Sequence, residues 1–120
     1  MACSFQSAAD LRPGQLIRHS WGYGMTLNDF AVILETTGKS VIAQRIGSTW
    51  VSGEPGFTGR VKANPADKFG KPFRLFIRPS SSERFFLRGS YPYCEGREDK
   101  QLGNFYPTTA DEEHYENHMD

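Results

Sequence analysis

Apolar residues between Gln15 and Arg88 come in short runs or alternate with polar ones, and no segment sustains the 3.6-residue period of an amphipathic helix. The pattern predicts a first strand over Gln15 to Trp21, a second over Phe30 to Glu35 and a third over Ser40 to Ile46, which Trp50-Val51 can extend. Arg12-Pro-Gly14 starts the body as a turn, and Thr36-Thr-Gly-Lys39 joins the second and third strands. Gly22 to Asp29 reads as a loop, because two glycines, Asn28 and Asp29 tolerate backbone conformations that a strand interior avoids. Gly53-Glu-Pro-Gly56 is a second turn cluster ahead of a short strand over Gly59 to Lys62, and Asn64 to Lys71 reads as another loop. Phe73 to Arg78 and Arg84 to Arg88 then form a hairpin. Gly89 to Pro107, rich in Tyr, Gly, Pro and charge, reads as an irregular excursion.

Five or six short strands with recurring turn signals must hide their edges, so the expected fold is mostly β. A small antiparallel, partly open SH3-like or OB-like barrel meets that need. The expected organisation is a single β-rich domain over 1–108 and an acidic C-terminal segment over 109–120. That segment is either a short helix, with Thr109 as N-cap and Glu112 completing a capping box, or a frayed acidic tail.

Composition changes this picture in two ways. Apolar content of 38% is low, but nine Phe, five Tyr and two Trp supply large burial per residue, so the core should be aromatic-rich. The zero formal net charge hides a split. Residues 1–94 hold twelve Lys/Arg against six Asp/Glu, and residues 95–120 hold two against eight, so a basic body carries an acidic end. No run reaches the ~18–20 apolar residues of a membrane-spanning helix, and Met1 to Gln6 has neither the basic nor the apolar part of a signal peptide. Cys3 and Cys94 are too far apart in sequence for a C-x-x-C motif and read as reduced thiols. Together these features point to a cytoplasmic protein with no membrane partner.

The hairpin carries the strongest chemical signal. A five-residue loop over 79–83 would set Leu75 opposite Leu87 and Ile77 opposite Phe85 on one face. The other face would pair Phe76 with Phe86, Arg78 with Arg84 and Arg74 with Arg88. Like charges placed opposite one another are unfavourable, whereas an aromatic pair ringed by guanidinium groups suits a phosphate-bearing ligand, with a base stacked on the rings. Two alternatives compete with this platform. The strands could be buried on both faces with the arginines snorkelling to the rim, or the acidic tail could fold back over the arginines.

A second candidate is the loop around Trp21 and Tyr23, with Thr26, Asn28 and Asp29 close behind. It is either an exposed aromatic rim with hydrogen-bonding groups, or a plug in which Trp21 closes the barrel end and Asn28 or Asp29 caps the turn. Gly22-Tyr-Gly24 lacks the third glycine and following helix of a dinucleotide fingerprint. His114 and His118 would share a helical face, but the segment is not H-E-x-x-H, and a third ligand would have to come from Glu113, Asp120 or elsewhere. There is no P-C-x-x-C for a zinc deaminase, no G-x-S-x-G elbow and no phosphate-binding P-loop, so no metal, cofactor or catalytic residue is expected.

Ser20-Trp-Gly-Tyr23, Thr26, Asp29-Phe30 and the turn Thr37-Gly-Lys-Ser-Val41 resemble a group of small proteins carried by bacteriophages, plasmids and other mobile elements, a group with no assigned function. Looser matches follow at Gly70-Lys-Pro72 and in the ending around Tyr115 and His118 to Asp120. Where that group usually has Asp-Gln after the Tyr, this chain has Gly24-Met25, and Ala31 stands in place of a Tyr. The resemblance implies an accessory protein of the prokaryotic cytoplasm and transfers no catalytic residues.

The expected function is therefore non-enzymatic binding of an anionic ligand, a nucleic acid strand or a nucleotide, through Arg74, Phe76, Arg78, Arg84, Phe86 and Arg88. Trp21, Tyr23, Asn28 and Asp29 are the secondary candidates. Alternatives are a protein inhibitor of a host defence or replication factor acting through the acidic tail, and a small hydrolase whose site has no recognisable motif.

Overall fold

Phe30-Ala-Val-Ile-Leu34 is an uninterrupted apolar run, and the fold gives the reason: this strand has an apolar layer on both of its faces. The structure is a computed structural model that describes residues 11–22, 26–54, 58–79, 85–92 and 100–118. Its strands are β1 (Leu16–Trp21), β2 (Leu27–Thr36), β3 (Ser40–Gly53), β4 (Thr58–Pro79), β5 (Phe85–Pro92), β6 (Lys100–Thr108) and β7 (His114–Asn117). No described residue is helical, so no helix there is long and apolar enough to cross a membrane.

β1, β2 and β3 form the expected antiparallel meander, with Ile17 opposite Ala31 and Ile33 opposite Ala43. The Thr37 hydroxyl accepts the Ser40 N–H at 3.0 Å and tightens the intervening turn. β3 pairs with β4, β4 with β5, β5 with β6, and β6 returns to β1, so six strands close into a barrel. Closure removes the edges that a partly open barrel would have left. Inside lie Ile17, Ala31, Ile33, Val41, Ala43, Phe73, Leu75, Leu87, Tyr91 and Phe105.

Gly89 and Gly103 face each other across β5 and β6; Gly103 makes room for the aromatic filling and Gly89 for the close approach of β4. A Cβ at 103 would stand 2.7 Å from the Tyr91 ring, and one at 89 would stand 2.8 Å from the Arg74 carbonyl oxygen. Gly89 to Pro107 is thus not an irregular excursion. β5 continues to Pro92 and β6 begins at Lys100, with 93–99 outside the described residues.

Beyond Ile46, β3 and β4 leave the barrel as a paired arm in which Gly47 faces Asn64 and Gly53 faces Gly59. The expected loop over Asn64 to Lys71 is instead the bend of β4. The register steps from Ile46↔Lys68 to Gly47↔Asn64, which drops residues 65–67 out of the ladder, and Gly70 adopts φ +73°. The arm lies over the outer face of β1 to β3, where Leu16, Phe30, Val32, Ile46, Val61 and Ala63 form a second apolar cluster, with Trp50 packed against it.

The acidic end completes this outer layer, and here the expected helix is corrected. His114–Asn117 is a strand paired with Thr58–Val61, and Thr26 exchanges backbone bonds of 2.9 and 2.8 Å with Asn117. Alternation explains the choice: His114 and Glu116 are buried while Tyr115 is exposed, the period of a strand. The helical face that would have brought His114 and His118 together as paired ligands does not form. His118 instead bonds Glu116 at 2.8 Å, and its ring lies 5.9 Å from that of Trp50.

Candidate functional site

The hairpin forms in a register two residues away from the expected one. Phe76 faces Arg88, Ile77 faces Leu87, Arg78 faces Phe86 and Pro79 faces Phe85, while Arg84 lies outside the described residues. A two-residue shift keeps every side chain on its expected face, so Leu75 and Leu87 are still buried inside with Ile77 and Phe85 packed against them. What changes is pairing across the strands. The expected Phe76–Phe86 and Arg74–Arg88 pairs are replaced by a ring opposite a guanidinium, twice. The physical gain is plain: like charges no longer face one another, and the Arg78 guanidinium lies beside the Phe76 ring.

The two rings have different surroundings. Phe76 is 42% exposed, with the Arg78 guanidinium carbon 5.6 Å from its centroid. Phe86 is half-buried and stacks on Tyr106 of β6, their centroids 5.7 Å apart and their planes 24° from parallel. Arg88 donates to Asn104 Oδ1 at 2.7 Å, and Arg74 donates to the Ser40 hydroxyl at 2.5 Å. These neutral acceptors orient the cations without discharging them. Tyr106 and Asn104 are hard to find from sequence because they lie in a stretch whose Gly, Pro and charge content reads as irregular. The alternation of Phe105 with Tyr106 and Asn104 was their only local signal.

The acidic end lies elsewhere. Glu112 pairs with His114 at 3.0 Å, and Glu116 bonds His118 and Asn28. Among the described residues, no carboxylate forms an ion pair with Arg74, Arg78 or Arg88.

The second candidate group is divided by the fold. Tyr23 lies outside the described residues. Asn28 and Asp29 belong to β2 rather than to a loop, and successive strand residues point to opposite faces. Asn28 turns outward, donating from Nδ2 to the Tyr115 carbonyl at 2.8 Å and to Glu116 Oε1 at 3.3 Å, so it docks β7. Its Oδ1 has no hydrogen-bond partner among the described residues.

Asp29 turns inward to the centre of a buried polar cluster at one end of the barrel. Oδ2 accepts from Trp21 Nε1 at 2.6 Å and from the Tyr91 hydroxyl, and Oδ1 accepts from Arg45 at 3.0 Å. Arg45 also donates to the Pro92 carbonyl at 2.9 Å and to that of Phe30 at 3.3 Å. Its guanidinium carbon sits 5.0 Å from the Phe69 ring centroid. Gln101 donates to the Tyr91 hydroxyl at 2.9 Å. Burial, reinforced by the Asp29 charge and hydrogen bond, pushes the Tyr91 hydroxyl far above its ordinary value and keeps it a neutral donor. Trp21 is half-buried at this mouth, and Asn28 and Asp29, as strand residues, do not cap a turn there.

No protein-family model, curated protein or solved structure matches this chain. The site therefore rests on its own geometry. The outer face of β4, β5 and β6 presents rings and cations toward solvent, whereas the barrel mouth spends its polar groups on one another.

Proposed function

We propose that this protein is a non-enzymatic binding module that holds a single-stranded nucleic acid across the outer face of β4 and β5. Bases would stack on Phe76 and against the Phe86–Tyr106 pair, and phosphates would meet Arg74, Arg78 and Arg88. The observation that carries this reading is the hairpin register, in which rings and guanidinium groups alternate along and across both strands, with Phe76 exposed and Phe86 half-buried. The cations are spread over an open face, which suits a strand with recurring phosphates better than one enclosed nucleotide. In the setting implied by the resemblance, the protein acts as an accessory to a phage or plasmid in the prokaryotic cytoplasm.

A second reading, an inhibitor that docks a host protein through its acidic end, draws on one feature. Glu113 and Tyr115 are exposed at the outer layer.

The test is fluorescence anisotropy with labelled oligo(dT) over a range of salt concentrations. Affinity should fall steeply with salt, and Arg78→Ala/Arg88→Ala should lower the slope of log K against log salt by about one per lost phosphate contact. Phe76→Ala should weaken binding by about 1–3 kcal/mol through lost stacking. Absent or salt-independent binding, unchanged in the double variant, sinks the proposal.

A further inference from the structure

Arg18 belongs to the same outer face. It lies opposite Tyr106 in the β1–β6 ladder, and Tyr106 carries the stacked Phe86, so Arg78, Phe86, Tyr106 and Arg18 follow one another across β4, β5, β6 and β1. On its other side Arg18 faces Phe30 of β2, which lies beneath the arm and β7. Arg18 therefore stands at the seam between the open face and the covered one.

At this seam its guanidinium is taken up by the acidic end. Arg18 Nη1 donates to His114 Nδ1. Because a guanidinium can only donate, Nδ1 must accept, and the neutral ring carries its proton on Nε2. Nε2 lies 2.8 Å from the Thr108 hydroxyl, which donates to Glu112 Oε2 at 2.9 Å. The donors line up in one direction, from Arg18 through His114 and Thr108 to Glu112.

The charged groups facing His114 are Arg18 from β1 and Glu112 from the turn before β7. Its neighbours Phe30 of β2, Val61 of β4 and Thr108 of β6 add no charge.

We propose that Arg18 is a further cation of the anion-binding face, held in reserve by His114, and that protonating or removing this imidazole releases it to a ligand phosphate. The inference rests on the nucleic-acid reading of that face. Protonation places an N–H on Nδ1 and sets two cations against each other where a donor had met an acceptor. Burial and the adjacent Arg18 charge lower the His114 pKa below its ordinary value, so the reserve holds at neutral pH and opens on acidification.

The experiment measures oligo(dT) binding, since thymine does not titrate in this range, at pH 7.5 and 5.5 across salt concentrations. The proteins are the wild type, His114→Ala, Glu112→Gln and Arg18→Ala/His114→Ala, with circular dichroism to verify folding. Glu112 is exposed, so its variant keeps the fold if His114→Ala does not.

The wild type should bind about five- to tenfold more tightly at pH 5.5 than at pH 7.5, with the salt slope steeper by about one. His114→Ala should bind at pH 7.5 as the wild type does at pH 5.5, and Glu112→Gln, which removes the carboxylate that favours the imidazolium, should show a smaller gain at pH 5.5 than the wild type. Arg18→Ala/His114→Ala should lose both gains. Steep salt-dependent binding that ignores pH and His114, or a gain that survives loss of Arg18, overturns this inference and leaves the face itself standing. Absence of salt-dependent binding by every protein at both pH values overturns the binding face and the reserve together.

Discussion

Replacing Asp29 with Ala would leave the Arg45 guanidinium buried without its counter-ion. Both side chains are about nine-tenths buried, at 8% and 10% exposure, and their separation is 3.0 Å. Breaking a buried pair by removing one partner costs about 3–5 kcal/mol, because the surviving charge has lost both water and its partner. Arg45 keeps the Pro92 and Phe30 carbonyls, which favours the lower half of that range. The Tyr91 hydroxyl loses its acceptor, which adds about 1 kcal/mol, while half-buried Trp21 is near enough to the surface for water to replace Asp29.

The expected cost is therefore about 4 kcal/mol, a large share of the ~5–15 kcal/mol that holds a domain of this size folded. In thermal melts this corresponds to a fall of about 12–20 °C. Urea unfolding followed by tryptophan fluorescence measures it directly.

The decisive comparison is Asp29→Leu/Arg45→Met, which removes both charges and fills the space with apolar atoms. It should be more stable than Asp29→Ala, since no lone charge is left inside. A cost for Asp29→Ala below about 1 kcal/mol, or a double variant as unstable as the sum of its singles, would refute the view that this pair is desolvated and mutually dependent.

Two further outcomes follow from the packing and the titrating groups. Gly103→Ala should cost about 1–3 kcal/mol in urea unfolding, because the new methyl meets the Tyr91 and Phe105 rings at 2.7 and 3.0 Å inside a filled barrel, and an unchanged midpoint would contradict that packing. His19 and His114 are both held below the ordinary imidazole pKa of 6.5, chiefly by burial, so the unfolded chain binds protons first. Stability should be complete above about pH 6.5 and decline as the pH falls from there through the lower folded values. A urea midpoint that holds steady or rises between pH 7.5 and 5.5 would count against this.

The candidate face shows how the two levels of information divide. Alternation in Phe73 to Arg78 and Phe85 to Arg88 was enough to say which side chains point outward, because a strand has a period of two whatever its partner. It could not say which of them meet, because loop length permits more than one register of the same parity. The choice was made by three-dimensional fit: Gly89 takes the place opposite Leu75, where β4 comes within 2.8 Å of a would-be Cβ. Tyr106 and Arg18 joined the face only through β6 and β1, strands remote in sequence from the hairpin.

Strand content, the Thr37 turn, the aromatic core and the outward cations of the hairpin were all legible in the chain itself, since each depends on local period, turn chemistry or composition. Barrel closure, the bend of β4, the inward Asp29–Arg45 pair and the strand at 114–117 were not. Each depends on which distant surface a segment meets. His114 and Glu116 had helix-capable neighbours and an acidic, solvent-like composition, yet the exposed edge at Thr58–Val61 and the apolar surface of Phe30 drew them into a strand. Local sequence sets what a segment can form, and burial against the rest of the chain decides what it does form.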